Sequence, residues 1–286
     1  MASHSNHMLG KIETIALATD GTKFGAGAER EALFLCRTWK ARLVILHVIT
    51  VDTELATSAH AESATLRREI REYIGRLERE AAAGSIECRA IIEGSYMPEK
   101  TIIELAQRNR ADMIVIGRHG RSSLMKLLAG SVASKIIGLG FPRVLVVPRN
   151  ARINVERILL ATDGSAFAGQ ATEEVISLAM HCPFLKQVFV LAVATRDADM
   201  EQARRTVTGA CRRFEEQRVT AGCVPMARPG KTADVITATA REHDVGMIVM
   251  GGHGRELSRL LMGHVTEKVI SQAHCAVLVI EKQGTM

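Results

Sequence analysis

Aromatic residues are scarce in this chain: one Trp, two Tyr and seven Phe make up 3% of 286 residues. That scarcity argues against the stacking platforms by which proteins hold single-stranded nucleic acid. Charge of one sign is also in short supply. The formal net charge is only +6, with 21 Lys or Arg against 16 Asp or Glu in residues 1–150 and 16 against 15 in the rest. The small surplus in the first half favours an anionic partner, but it is too mixed with acids to make a polynucleotide surface. No apolar run approaches a membrane span, and the opening MASHSNHMLGK lacks a basic start followed by a hydrophobic stretch, so a cytoplasmic protein that does not enter membranes is expected. The six cysteines, Cys36, Cys88, Cys182, Cys211, Cys223 and Cys275, include no C-x-x-C pair. They read as buried free thiols of a reducing compartment rather than as a metal or redox motif.

What the chain does contain is 47% hydrophobic residues, enough for real cores, and a length that suits two ordinary domains. It also contains itself twice. IALATDGTKFGAG from Ile15 matches ILLATDGSAFAGQ from Ile158, 143 residues on, and GRHGRSSLMKLLAGS from Gly117 matches GGHGRELSRLLMGH from Gly251, 134 residues on. A sustained match with small length changes is the mark of two homologous domains, not of a short-period solenoid. The polar stretch Pro148 to Glu156 separates them, giving domains of 9–149 and 153–286.

Each half holds five apolar runs, TIALATD, RLVILHV, ECRAII, MIVIG and RVLVVP in the first and RILLATD, QVFVLAV, CVPMAR, MIVMG and AVLVIE in the second. The central runs are rich in Val, Ile and Leu with little polar interruption, which suits parallel strands buried on both faces. Helical patterns fall between them at 26–39, 59–83, 99–108 and 123–137, then at 169–180, 199–218, 233–243 and 258–272. The expectation is an α/β fold of two tandem doubly wound domains, each a mostly parallel five-stranded sheet flanked by helices.

In such a sheet ligands bind beyond the carboxyl ends of the strands, where connections leave to opposite faces. Asp20 and Asp163 stand at that end of the first strand of each half. A carboxylate there can accept from a sugar hydroxyl or a base amino group, and the same TDG string also suits an Asx turn or helix start. Gly117 and Gly120 follow the fourth strand and permit an amide-lined anion nest. Gly130 can break the next helix so that Ser131 and the amides from Val132 onward face phosphate oxygens. The spacing is not the dinucleotide fingerprint, and PMARPGKT (Pro225 to Thr232) fails as a phosphate loop because Pro225 replaces its first glycine. A turn into the next helix explains that string.

These strings, GRHGRSSLMKLLAGSVASKII with IALATDG and VILHV before it, resemble the universal stress protein family over nearly the whole chain. In that family a five-stranded doubly wound domain often binds ATP through Gly, two residues, Gly, nine residues, Gly, Ser or Thr, and Gly117, Gly120, Gly130 and Ser131 meet that spacing. The resemblance implies that Asp20 meets the ribose or adenine side and that Val48 meets adenine through its backbone. It implies that the glycines and Ser131 surround the phosphates, with His119 and Arg121 as supplements. Mg2+ or Mn2+ would travel with the nucleotide.

The second half keeps Asp163, Val193, Gly251 and Gly254, but only eight residues separate Gly254 from Gly263, and His264 replaces the hydroxyl residue. If helical, one missing residue rotates the downstream segment by about 100° and shortens it by about 1.5 Å, so this half reads as a degenerate site. No nucleophile, base and orienting group stand at defensible spacings, so at most slow ATP hydrolysis or autophosphorylation is expected. The expected role is a stress protein that switches with ATP. The alternatives are a nucleotide-independent scaffold, a small-molecule enzyme or a carrier. The apolar last strands suggest internal domain pairing, with unsealed edges favouring a homo-oligomer.

Overall fold

The computed structural model describes residues 12–50, 60–118, 131–253 and 262–281, with side chains in the second helix from Arg68. In the first half the strands are β1 (Thr14–Ala18), β2 (Arg42–Thr50), β3 (Cys88–Ser95), β4 (Met113–Gly117) and β5 (Arg143–Val147). Between them run α1 (Ala26–Trp39), α2 (His60–Ala83), α3 (Pro98–Arg108) and α4 (Ser131–Gly138). The second half repeats the order with β6 (Arg157–Ala161), α5 (Ala166–His181), β7 (Gln187–Ala194), α6 (Met200–Glu216), β8 (Gly222–Pro229), α7 (Thr232–Glu242), β9 (Met247–Gly251), α8 (His264–Gln272) and β10 (Ala276–Ile280). The failed phosphate loop is the end of β8 and the turn into α7.

The ten strands form one sheet in the order β3-β2-β1-β4-β5-β10-β9-β6-β7-β8, parallel within each half and antiparallel where β5 meets β10. Successive side chains along a strand point to opposite faces, and both faces are covered. Ile15 and Leu17 of β1 enter the core under α1, α2, α5 and α6, while Ala16 and Ala18 enter the core on the other face, with residues of α3, α4, α7 and α8. Each core runs unbroken across both halves.

The internal pairing expected of the last strands is present, and its register shows its symmetry. Arg143 and Ala276 open equivalent strands 133 residues apart, and Leu145 pairs with Leu278, its own equivalent at the same offset. A pseudo-two-fold axis therefore passes between these two leucines, the self-complementary arrangement of a closed dimer. Arg143 crosses the junction to donate to Glu174 of α5 at 2.9 Å, both side chains being largely buried. The antiparallel junction points the carboxyl ends of the two strand sets in opposite directions, so the two crevices open at opposite rims. The remaining edges are β3, which carries Arg89 and Glu93, and β8, which carries Pro225 and Pro229. Charges and prolines are the residues that discourage strand addition.

One expectation is corrected. Cys211 of α6 and Cys223 of β8 are joined as a disulfide, whereas Cys36, Cys88, Cys182 and Cys275 are free. Nothing in their spacing of 12 residues signals the bond, because it depends on how a helix lies across a strand.

Candidate functional site

The first crevice forms where β1 stops before its neighbour does. The Thr19 amide donates to Leu46 O at 3.0 Å, and β1 ends at Ala18 while β2 continues to Thr50. Backbone groups alternate sides along a strand, so Val48, two residues past Leu46, turns its N–H and C=O to the side where β1 no longer runs. Across that gap stands Asp20, half-buried, whose Oδ1 accepts from the Thr22 amide at 3.0 Å and the Thr22 hydroxyl at 2.8 Å. This is the Asx turn the sequence allowed. Among the described residues Oδ2 takes no such bond, so the turn and a ligand contact are compatible. Gly21 follows at φ +74°, a conformation that needs glycine.

Beneath this turn lies a set of residues that the sequence motifs do not single out. The Gly21 amide donates to Thr19 Oγ1 at 3.3 Å, and the Thr19 and Tyr73 hydroxyls are 2.6 Å apart. Tyr73 donates to Glu29 Oε1 at 2.6 Å, and Arg76 donates to Glu29 Oε2 at 3.0 Å. Because Tyr73 donates to Glu29, the Thr19 hydroxyl donates to Tyr73, giving one directed chain from the turn to the buried Glu29 carboxylate. Burial, and then the Glu29 carboxylate, push the Tyr73 phenol above its ordinary range. Glu29 was legible in principle, since a glutamate shares the buried stripe of α1 with Ala32 and Cys36.

The second half keeps only the first link, the Gly164 amide donating to Thr162 Oγ1 at 3.3 Å, and among the described residues lacks the rest. The buried residues Ile70, Ile74, Leu77 and Ala81 of α2 match Ala203, Val207, Ala210 and Phe214 of α6 at a constant offset, which puts Thr206 at the place of Tyr73 and Gly209 at that of Arg76. Thr172 stands for Glu29 in the 143-residue repeat, and its hydroxyl turns back to Ala168 O at 2.9 Å. The two crevices share a backbone and differ in what supports it.

At the phosphate end, Gly117 closes β4. A Cβ there would lie 3.1 Å from Phe24 O and 3.3 Å from Gly25 Cα, so close approach of the β1–α1 loop is one reason for this glycine. Ser131 is exposed and is the first residue of α4, with Val132 half-buried behind it. His119, Gly120, Arg121 and Gly130 lie outside the described residues. The structure thus brings Asp20, Val48, Gly117, Ser131 and Val132 to the carboxyl ends of one strand set.

In the second half, Asp163 is exposed and accepts from the Ser165 amide at 2.9 Å, and Val193 turns its backbone past the end of β6 as Val48 does past β1. The shortened loop does not rotate its helix. Ser131 to Arg143 and His264 to Ala276 both span 12 residues, and α8 begins at His264 behind an extended Gly263. The missing residue is absorbed between Gly251 and Gly263, where Gly254 lies outside the described residues. The stem of that loop is distinctive. Glu281, in the place of Pro148, is buried with its Oε1 3.0 Å from His253 Nδ1, and the His253 ring packs 5.4 Å from Phe167. A Cβ at Gly252 would meet Glu281 Oε1 at 1.6 Å, so a side chain there would have to displace this carboxylate. Its first-half counterpart is Arg118, which reaches across the junction to Ala273 O at 2.7 Å.

A separate cleft of about 310 Å³ lies between Thr38, Trp39 and Lys40 of the first half and Glu174, Leu178 and His181 of α5; none of the site residues lines it. Among the described residues no group of three His, Cys, Asp or Glu side chains is placed to hold a metal, and no helix is long and apolar enough to cross a membrane.

Fold and crevices together define a tandem doubly wound α/β protein with one switch-point crevice per half. The model of the universal stress protein family matches residues 11–148 and again 154–281, and the chain belongs to that family as a tandem of two such domains. It is 27% identical over 140 residues to a universal stress protein of Methanocaldococcus jannaschii, covering 47% of this chain and 81% of that protein. It is likewise 27% identical over 201 residues to a universal stress protein of Mycobacterium tuberculosis, covering 64% of this chain and 65% of that one. In fold it is similar to the crystal structure of a universal stress protein from Archaeoglobus fulgidus, with a TM-score of 0.72, 19% identity, and 94% and 98% of the two chains covered.

Proposed function

We propose that the first domain binds ATP and that occupancy of its crevice switches the protein's conformation or interactions. The observation that carries this reading is the gap beyond β1, where β2 runs on with the Val48 backbone unpaired by β1 and Asp20 follows the strand end with only Oδ1 used in its turn. Adenine would pair with the Val48 backbone and the ribose with Asp20. The phosphates would lie against Gly117, Gly120, Gly130 and the start of α4 at Ser131, supported by His119, Arg121 and the Val132 amide. These groups suit the ligand chemically: a hydrogen-bonding strand edge for the base, a carboxylate for hydroxyls and a helix N-terminus for an anion. Mg2+ or Mn2+ would arrive on the phosphates.

Asp20 stands at the nucleoside end of this arrangement, far from a terminal phosphate, so turnover is at most slow. The second domain is the weaker site. Its loop stem holds the buried Glu281, paired with His253, where the first half has Pro148, and His264 stands where the first half has Ser131. That altered site leaves this half with a second role as the first domain's partner in the continuous sheet.

Titration of ATP, ADP and AMP into nucleotide-stripped protein, with and without Mg2+, tests the reading. Affinity should rise with phosphate number and saturate near one nucleotide per chain, and Gly130→Asp should reduce ATP affinity by at least about tenfold by placing an anion beside phosphate. Equal affinity for ATP and AMP, or no effect of Gly130→Asp, would remove the loop from the site.

A further inference from the structure

The two domains place the same helix on the same edge strand, yet only one fastens it covalently. In the first domain Cys88 pairs in register with Leu43, and in the second Cys223 pairs with Val188, the equivalent strand position. The constant offset between the buried stripes of α2 and α6 puts Glu78 at the place of Cys211. The positions joined as Cys211–Cys223 in the second half are thus held by the exposed Glu78 and the free Cys88 in the first. Burial and then the Glu78 carboxylate hold the Cys88 thiol up at about 11, the protonated and unreactive form. The first domain thus seats its helix on the edge strand with no crosslink between these positions.

Its position suits exchange. Cys223 is partly exposed on β8, the last strand of the sheet, while Cys211 lies buried behind it at 6% exposure. The helix it fastens starts from the second crevice: the chain leaves β7 just past Val193, makes a single 3-10 turn at Asp197–Asp199 and enters α6.

We propose that Cys211 and Cys223 form a reversible oxidisable dithiol site that locks α6 onto edge strand β8, with a low-molecular-weight disulfide of the glutathione type as its redox partner. In oxidation the Cys223 thiolate attacks one sulfur of oxidised glutathione, forming a mixed disulfide and releasing one glutathione thiolate. The Cys211 sulfur, its proton passing to solvent, then attacks the Cys223 sulfur, and the second glutathione leaves. Two protein thiols lose two electrons and two protons, and one oxidised glutathione becomes two reduced ones. Reduction is the reverse, beginning at the accessible Cys223 sulfur. The inference is independent of nucleotide binding.

The test equilibrates the full chain in glutathione buffers from about 1000:1 to about 1:10 thiol to disulfide, quenches with acid, alkylates and maps the peptides by mass spectrometry. Melting is followed in parallel. Cys211 and Cys223 should lose alkylation together as the buffer becomes oxidising, while Cys36, Cys88, Cys182 and Cys275 keep their thiols. The melting midpoint should rise by about 5–10 °C across the same transition. Cys223→Ala, a change at a partly exposed position, should abolish both transitions. A pair that stays bonded in the most reducing buffer, a pair that never bonds, or bonding without a shift in melting would each overturn the proposal.

Discussion

Tyr73→Phe deletes one oxygen atom and should be felt both in stability and in the first crevice. That oxygen sits 2.6 Å from Thr19 Oγ1 and 2.6 Å from Glu29 Oε1, and Glu29 is only 6% exposed. Without it, Glu29 keeps Arg76 but loses a donor to a buried charge, and the Thr19 hydroxyl loses its acceptor. A hydrogen bond to a charged group, or the unmet need left by its loss, is worth about 1.5–3 kcal/mol. For a chain of this size that corresponds to a fall in melting midpoint of about 4–10 °C. The second consequence is local. Thr19 Oγ1 also receives the Gly21 amide, so the variant frees the turn that aims Asp20. With Asp20 on the ribose, as proposed, ATP affinity should drop by about 3–10-fold while 2′-deoxy-ATP loses less, narrowing the ratio between them. Calorimetric titration of both nucleotides and thermal unfolding measure the two effects. A midpoint within about 1 °C of the parent would refute the energetic reasoning. An unchanged ribose ratio would confine the chain of hydroxyls to a structural role.

Alkaline conditions should unfold the protein through groups that burial keeps neutral. Burial pushes the Cys36 and Cys275 thiols up from 9.0 to about 12, and the Tyr73 phenol is raised as well. A folded pKa above the unfolded one gives stability that is fully present below the unfolded value and lost as pH rises toward the folded value. The urea midpoint should therefore hold up to about pH 9 and fall from there toward pH 12, with Cys36→Ala flattening part of the slope; a level midpoint from pH 8.5 to 11 would contradict this. Two kinds of glycine should respond to alanine with opposite signs. A Cβ at Gly246 would meet the Asn154 backbone at 2.1 Å, so Gly246→Ala should cost about 3 kcal/mol or more in denaturant unfolding. Helical Gly169 and Gly209 have nothing within 4 Å of that position, so Gly169→Ala and Gly209→Ala should each gain about 0.5–1 kcal/mol.

Much of the architecture is local information. The helix expected at 26–39 is α1 to the residue, MIVIG and MIVMG are β4 and β9, and the internal repeat predicts a second copy of whatever the first copy forms. Hydrophobic period and turn residues act within a few positions of one another, so a chain read in order displays them. The Asx turn at Asp20 belongs to the same class, since its donors lie two residues away.

What the chain in order could not display is every relation that depends on how elements lie across one another. The Leu145–Leu278 axis, the chain from Gly21 through Tyr73 to Glu29, and the seating of Glu281 under Gly252 join residues that are distant in sequence. Even the Cys211–Cys223 bond, between near neighbours, exists only because α6 crosses β8 at that register. Local pattern was enough to read two doubly wound domains and the residues at their strand ends. Which of the differing residues support each crevice emerges only from the packing, because packing selects partners by distance in space, and a chain read in order does not display that distance.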